Sequence, residues 1–205
     1  MQDFAIAIPS SLENMQLPSP ELIAFYKNLE NRTLWLEGEV NDYFLEYGRY
    51  IIQWNREDKG IPVNERQPIK LMFFSPGGDL DVNNAIIDLI EMSKTPVYGY
   101  NMGVAQSAGC FMYMACHKRF AMPNATFLLH QGSSALQGNY NEVVATVIEY
   151  QRQVEKLEEF VKKHSGIDEE TLAENIGTEW FVTAQDAFEL YHFVDEIITD
   201  IDMVV

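Results

Sequence analysis

The sequence predicts an α/β domain in which helices cover a mostly parallel sheet, and three observations predict it. From residue 69 onward, short apolar runs alternate with stretches of helical periodicity; turns rich in glycine, serine and asparagine separate them; and 47 % hydrophobic against 22 % charged residues is the balance of an ordinary folded protein. At this length one domain is the default, and roughly 70 % of the unfolded chain's surface can be buried without disulfide or metal staples.

Taken in order, residues 1–32 read as an N-terminal arm and a first helix, because Pro9, Ser10, Ser11, Pro18, Ser19 and Pro20 suit an extended segment. Residues 33–200 read as the single main domain. Its opening strand lies within 33–40, and Asn41 or Asp42 caps a helix that runs towards Arg56 and buries Phe44, Leu45, Ile51, Ile52 and Trp54. Residues 57–68 read as a surface loop. A strand at 69–74, the turn Ser75-Pro76-Gly77-Gly78 and a helix opened by Asp79 or Asp81 follow. Next come a strand at 96–100, a turn at Asn101-Met102-Gly103, a small-residue helix from about Gln106, a short segment at 119–122 and a strand at 126–130. Beyond a glycine- and serine-rich stretch, the longest helix is predicted over 141–164, with shorter helices at 168–175 and 185–191 and a closing strand at 194–198. A helix that long in a domain of this size is expected to project or to pack on another subunit.

The charge excludes whole classes of partner. Fourteen Lys and Arg against 31 Asp and Glu give a formal −17, which repels phosphate backbones and anionic lipid, so neither nucleic acid nor a membrane is expected. No run reaches the length of a membrane span, and the first residues lack the basic and apolar regions of a signal peptide. Cys110 and Cys116, six apart in an apolar stretch, read as two reduced core thiols, and with them the expectation is a cytoplasmic protein.

Three sequence features can carry chemistry. Ser107, in Gly103-Val-Ala-Gln-Ser-Ala-Gly109, follows a strand where a helix should start, which exposes a hydroxyl beside free backbone N–H groups. Ser75-Pro-Gly-Gly78 ends the preceding strand on the same sheet edge, and its glycines let the backbone approach a ligand and aim an N–H at a developing oxyanion. His130 ends the strand Thr-Phe-Leu-Leu-His on that edge as well, a position from which a base can reach a serine. The imidazole needs an orienting group, for which Glu174, Glu179 and Asp186 all stand downstream. Cysteine and histidine spacing supports no metal, and no glycine-rich nucleotide motif occurs, so chemistry without a cofactor is expected. An α/β-hydrolase order through Ser107, Asp186 and His192 is disfavoured, since Ala105 stands where the nucleophile elbow requires glycine.

The succession Phe-Phe-Ser-Pro-Gly-Gly, Met-Gly-Val-Ala-Gln-Ser-Ala-Gly and Arg-Phe-Ala-Met-Pro-Asn-Ala-Thr-Phe-Leu-Leu-His-Gln resembles the proteolytic subunit of the Clp protease, the ClpP family, over about residues 33–198. The resemblance implies the ClpP/crotonase-like spiral of ββα units with a projecting handle helix, the handle spanning about 131–164. It implies Ser107 as nucleophile, His130 as general base, and an oxyanion hole made by the N–H groups of Gly78 and Ala108. Glu179 aligns with the family's catalytic aspartate, and Thr178 and Trp180 stand where many members carry arginine. Gln131, Gly132, Ser133 and Ser134 begin the segment that would pair with an extended peptide substrate. The implied assembly is a homo-oligomer of stacked heptameric rings that cleaves unfolded polypeptide supplied by an AAA+ unfoldase. The alternatives are a catalytically silent subunit of a mixed ring and an acyl-CoA enzyme of the related crotonase group.

Overall fold

The computed structural model describes residues 19–132 and 137–204, in two compact units that divide between Asn31 and Arg32. The first holds helix α1 (Pro20–Glu30), whose start follows from its residues. The Ser19 hydroxyl accepts the Leu22 N–H at 3.2 Å, and Pro20 occupies the first turn, where a missing N–H leaves no bond unmade.

The second unit alternates strand and helix. Strand β1 (Thr33–Glu37), helix α2 (Leu45–Glu57), strand β2 (Ile69–Ser75), helix α3 (Leu80–Met92), strand β3 (Val97–Gln106) and helix α4 (Ala108–Met114) build its first half. Strands β4 (Lys118–Ala121) and β5 (Thr126–Leu129), helices α5 (Tyr140–His164) and α6 (Glu169–Asn175), strand β6 (Trp180–Thr183), helix α7 (Ala184–Glu189) and strand β7 (Glu196–Ile197) complete it. The sheet runs β1-β2-β3-β4-β7 with every pair parallel; β5 joins it through β3, and β6 pairs antiparallel with β5.

Strand β3 departs from the sequence reading, which ended it at residue 100 and put a turn at Asn101-Met102-Gly103. The strand runs on to Gln106 and changes partner on the way: Tyr98 to Asn101 pair with β4, and Val104 to Gln106 pair with β5. Buried Asn101 makes the change possible. Its Nδ2 donates to the Thr126 carbonyl and its Oδ1 accepts the Gly103 N–H, each at 3.0 Å, so polar backbone freed at the junction stays bonded. The extension brings the end of β3, and Ser107 after it, beside β5 and His130.

The loop predicted at 57–68 is likewise more than surface. Asp58 is buried and bound by both terminal guanidinium nitrogens of Arg32, Nη1 and Nη2, at 2.7 and 2.8 Å, while the Thr95 hydroxyl donates to it at 2.7 Å. These donors, Arg32 foremost, hold its pKa below the ordinary carboxylate value.

Helix α4 is buried on every side from Ala108 to Met114, as an apolar helix without a polar stripe must be. Cys110 and Cys116 are free and buried, and desolvation raises both thiol pKa values. Helix α5 is the opposite case. A capping box between Asn139 and Glu142 starts it, and of its 25 residues only Val161 is buried. Among the described residues no helix is long and apolar enough to cross a membrane, and no group of three or more metal-ligating side chains forms.

Candidate active site

Ser107 sits between β3 and α4 with φ +49° and ψ −125°, a conformation that costs a non-glycine residue of order 1–3 kcal/mol. The surrounding main chain holds it there. Its N–H donates to the Leu128 carbonyl of β5 at 2.8 Å, and its carbonyl accepts the Cys110 and Phe111 N–H groups at 2.9 and 3.2 Å. The side chain is thereby turned out of the strand and away from the helix, and it makes no capping bond.

His130, one residue past β5, meets it. Nε2 lies 2.7 Å from the Ser107 Oγ. With the proton on Nδ1, the serine hydroxyl donates to Nε2, which is the arrangement in which an imidazole removes a hydroxyl proton. The other three histidines are engaged elsewhere: His117 Nδ1 accepts the Val97 N–H at 2.9 Å, His164 Nε2 meets Glu91 at 2.8 Å, and His192 Nδ1 donates to the Phe188 carbonyl at 3.1 Å.

The Pro-Gly-Gly turn lies against the serine. Gly77 is at φ +98°, and a Cβ there would fall 2.6 Å from the Ser107 Cβ and 2.7 Å from the Gln106 carbonyl oxygen. Gly78, at φ +148°, is clamped to the loop after β1: the Val40 N–H donates to Gly77 at 2.8 Å, and the Val40 carbonyl accepts from Asp79 at 2.9 Å. Among the described residues neither the Gly78 nor the Ala108 N–H is spent on a backbone bond. Ser75, which the sequence reading placed in this turn without a role of its own, supports it. Fully buried, it donates from Oγ to the Gly38 carbonyl at 2.6 Å and accepts the Gly77 N–H at 3.2 Å.

The acidic candidates lie apart from the imidazole. Asp186 accepts the Thr183 hydroxyl at 2.8 Å at the start of α7. Glu174 and Glu179 are exposed. The β5·β6 register, ending at Leu129 opposite Trp180, brings His130 opposite Glu179 one step on, but no hydrogen bond or ion pair joins them. Thr178 bonds the Asn175 carbonyl, and Trp180 stacks edge-on against Tyr191 with ring centroids 5.2 Å apart.

Gln131 is tied at three points. Its N–H donates to Ile176, its carbonyl accepts the Tyr150 hydroxyl and its Nε2 donates to Glu158, each at 3.0 Å. Gly132 is exposed at φ +90°, and Ser133 and Ser134 lie outside the described residues. A cleft of about 360 Å³ opens between α3 and α5; Leu80, Ile87, Gln131, Tyr150, Val154 and Leu157 line part of it. Leu80 and Gln131 connect it to the Gly78 turn and to His130.

The chain matches the Clp protease family over residues 25–200. It is 30 % identical over 182 residues to the ATP-dependent Clp protease proteolytic subunit 2 of Treponema pallidum (strain Nichols), covering 88 % of each chain. To the subunit of the same name from Treponema denticola it is 30 % identical over 173 residues, covering 83 % of this chain and 84 % of that one. To proteolytic subunit 1 of Rhodopirellula baltica it is 29 % identical over 172 residues, covering 83 % and 73 %. A solved structure, that of a point mutant of ClpP1 from Listeria monocytogenes, superposes with a TM-score of 0.75 at 22 % identity over 89 % of this chain and 99 % of that one, which shows the shared ClpP fold. Fold, motifs and sequence similarity agree: the chain belongs to the Clp protease family and is related to its proteolytic subunits.

Proposed function

We propose that the chain is a serine endopeptidase of the Clp type, and the observation that carries the reading is the Ser107 Oγ to His130 Nε2 distance of 2.7 Å at a strained strand-to-helix turn. In this reading Ser107 Oγ bonds to the scissile carbonyl carbon while its proton passes to His130 Nε2. The oxyanion is held by the Gly78 and Ala108 N–H groups, whose freedom from other backbone bonds supports the role. The C–N bond then breaks, the imidazolium proton goes to the leaving amine, and water releases the acyl group by the reverse proton traffic. Glu179 supplies the orienting carboxylate after its exposed side chain turns onto Nδ1; its register position opposite His130 supports this. The peptide lies in the α3–α5 cleft, and pairing with main chain begins at Gly132, since the N–H and carbonyl of Gln131 are already used.

The relatives are named as ATP-dependent, while this sequence carries no nucleotide motif. The reading therefore assigns ATP hydrolysis to a separate AAA+ unfoldase and peptide cleavage to stacked rings of this chain. The free thiols Cys110 and Cys116 support a cytoplasmic protein. A second reading, a silent structural subunit in a mixed ring, is favoured by the missing contact between His130 and Glu179.

A fluorophosphonate probe separates them. Labelling of Ser107 in the assembled protein, together with a loss of peptidase activity of at least about a thousandfold in Ser107→Ala, is the expected result. An unlabelled serine in the assembled protein overturns the enzymatic reading in favour of the silent one.

A further inference from the structure

We infer that Tyr150 and Glu158 of helix α5 are positioning residues for the base, acting through Gln131; the inference rests on the catalytic reading of Ser107 and His130. His130 lies outside β5, and its Nδ1 has no hydrogen-bond partner among the described residues, so its ring is held by the serine and by its own backbone. What fixes that backbone is the next residue. Gln131 is tied at three points: its N–H to the Ile176 carbonyl, its carbonyl to the Tyr150 hydroxyl and its side-chain amide to the Glu158 carboxylate, all at 3.0 Å. Two of the three ties come from one helix, α5, of which Val161 is the only buried residue.

Both α5 partners are half-buried, which shields these bonds from competing water without the penalty of a fully buried charge. Gln131 is also the only residue between His130 and Gly132, which at φ +90° turns the chain away. The tether is consequently the last fixed point before that turn. Releasing it lets the His130 Cα drift, and a displacement of about 1 Å between base and nucleophile can cost up to a hundredfold in rate.

The two bonds are separable by small substitutions. Tyr150→Phe removes one hydroxyl; Glu158→Ala removes the acceptor for the side-chain amide, and Glu158→Gln restores an acceptor through its Oε1. The test measures kcat and KM for a short fluorogenic peptide, and the pH dependence of fluorophosphonate labelling of Ser107, on assembled protein of unchanged native mass. Tyr150→Phe and Glu158→Ala are each expected to lower kcat and the labelling rate about tenfold with KM within about twofold, and Glu158→Gln to recover most of the loss. Unchanged labelling rates and pH profiles in both variants overturn the inference while leaving the catalytic reading intact. A raised KM with unchanged kcat also overturns it, since Tyr150 would then act only as a wall of the cleft. Absence of labelling in the parent protein strikes the catalytic reading itself.

Discussion

The two sides of the Ser107–His130 contact are built in different ways. On the nucleophile side main chain does most of the holding: Ser107 is fixed by bonds from β5 and α4, Gly77 and Gly78 by Val40, and Ala108 by a helix buried on all sides, with the Ser75 hydroxyl the one side chain that joins in, at the Gly77 N–H. On the base side one main-chain bond, from the Gln131 N–H to the Ile176 carbonyl, is joined by side-chain constraints. A tyrosine hydroxyl and a carboxylate on α5 hold Gln131, and the carboxylate in register with His130 is exposed and does not reach it. A backbone-built shelf tolerates few substitutions but holds its geometry at no side-chain entropy cost, while a side-chain-built edge can be tuned by single polar atoms. Under the proposed catalytic reading, the site should thus fail abruptly from one side and by degrees from the other.

The sharpest break is expected at Gly78. An alanine there would put a Cβ 2.8 Å from the Val40 nitrogen and against its carbonyl oxygen, at a φ of +148° that alanine avoids. The turn must rotate, and the N–H offered to the oxyanion rotates with it. We expect Gly78→Ala to lower kcat by about a hundredfold to a thousandfold, the usual cost of losing one oxyanion donor. The Ser107–His130 distance should persist, so a crystal structure of the variant with that pair intact and activity lost separates oxyanion loss from general collapse. Activity within a few-fold of the parent would mean that Gly78 is not an oxyanion donor.

This asymmetry also explains what could be read from the sequence. The shelf was legible because its backbone needs particular residues at fixed places: glycines at positions 77 and 78, where φ is positive. The alternation of strands and helices was legible for the same reason, through apolar periodicity and caps such as Asp79, whose side chain accepts the Val82 N–H at 2.9 Å. What escaped depends on long-range partners. The extension of β3 beyond residue 100 rests on the Asn101 side chain reaching Thr126, and the burial of Asp58 rests on Arg32, 26 residues earlier. Strand β6 escaped because only Val182 of its four residues is buried, so it carries no alternation that a local pattern could reveal. The tether from Tyr150 and Glu158 to Gln131 crosses 19 and 27 residues and has no local signal at all.

On the base side, Glu179 offers an intermediate effect. Its carboxylate is exposed, and turning it onto His130 must offset the hydration it gives up, so its contribution should be smaller than that of an aspartate held permanently in place. We expect Glu179→Gln to reduce kcat by roughly tenfold to a hundredfold, with KM unchanged. Measured beside Gly78→Ala, this ranks the two sides directly. A loss under about twofold would leave Ser107 and His130 as a dyad and remove Glu179 from the machinery.

The smallest effect concerns the far end of α5, where pH acts on the helix that carries the tether. His164 lies against Phe160, with ring centroids 4.3 Å apart, and its Nε2 meets Glu91 at 2.8 Å. Glu91 is shared with Lys163 at 2.7 Å, and Arg119 caps the helix by donating to the His164 carbonyl at 2.6 Å. Burial lowers the His164 pKa and outweighs the bond to Glu91, which raises it; Lys163 and Arg119 add to the lowering. A histidine whose folded value lies below its unfolded value of about 6.5 favours the fold fully above that pH, and its contribution is lost as pH falls through the folded value. Glu91, itself held below the ordinary carboxylate range chiefly by Lys163, stays ionised in that window and titrates only at lower pH. Mild acid should therefore loosen the C-terminal turn of α5 before it disturbs the shelf. Amide exchange, corrected for its intrinsic pH dependence, is expected to rise in residues 161–165 as pH falls below about 6.5 and to stay level in α4. His164→Gln should abolish that rise. Faster exchange in α4 first would reverse the order of rigidity drawn between the two sides of the site.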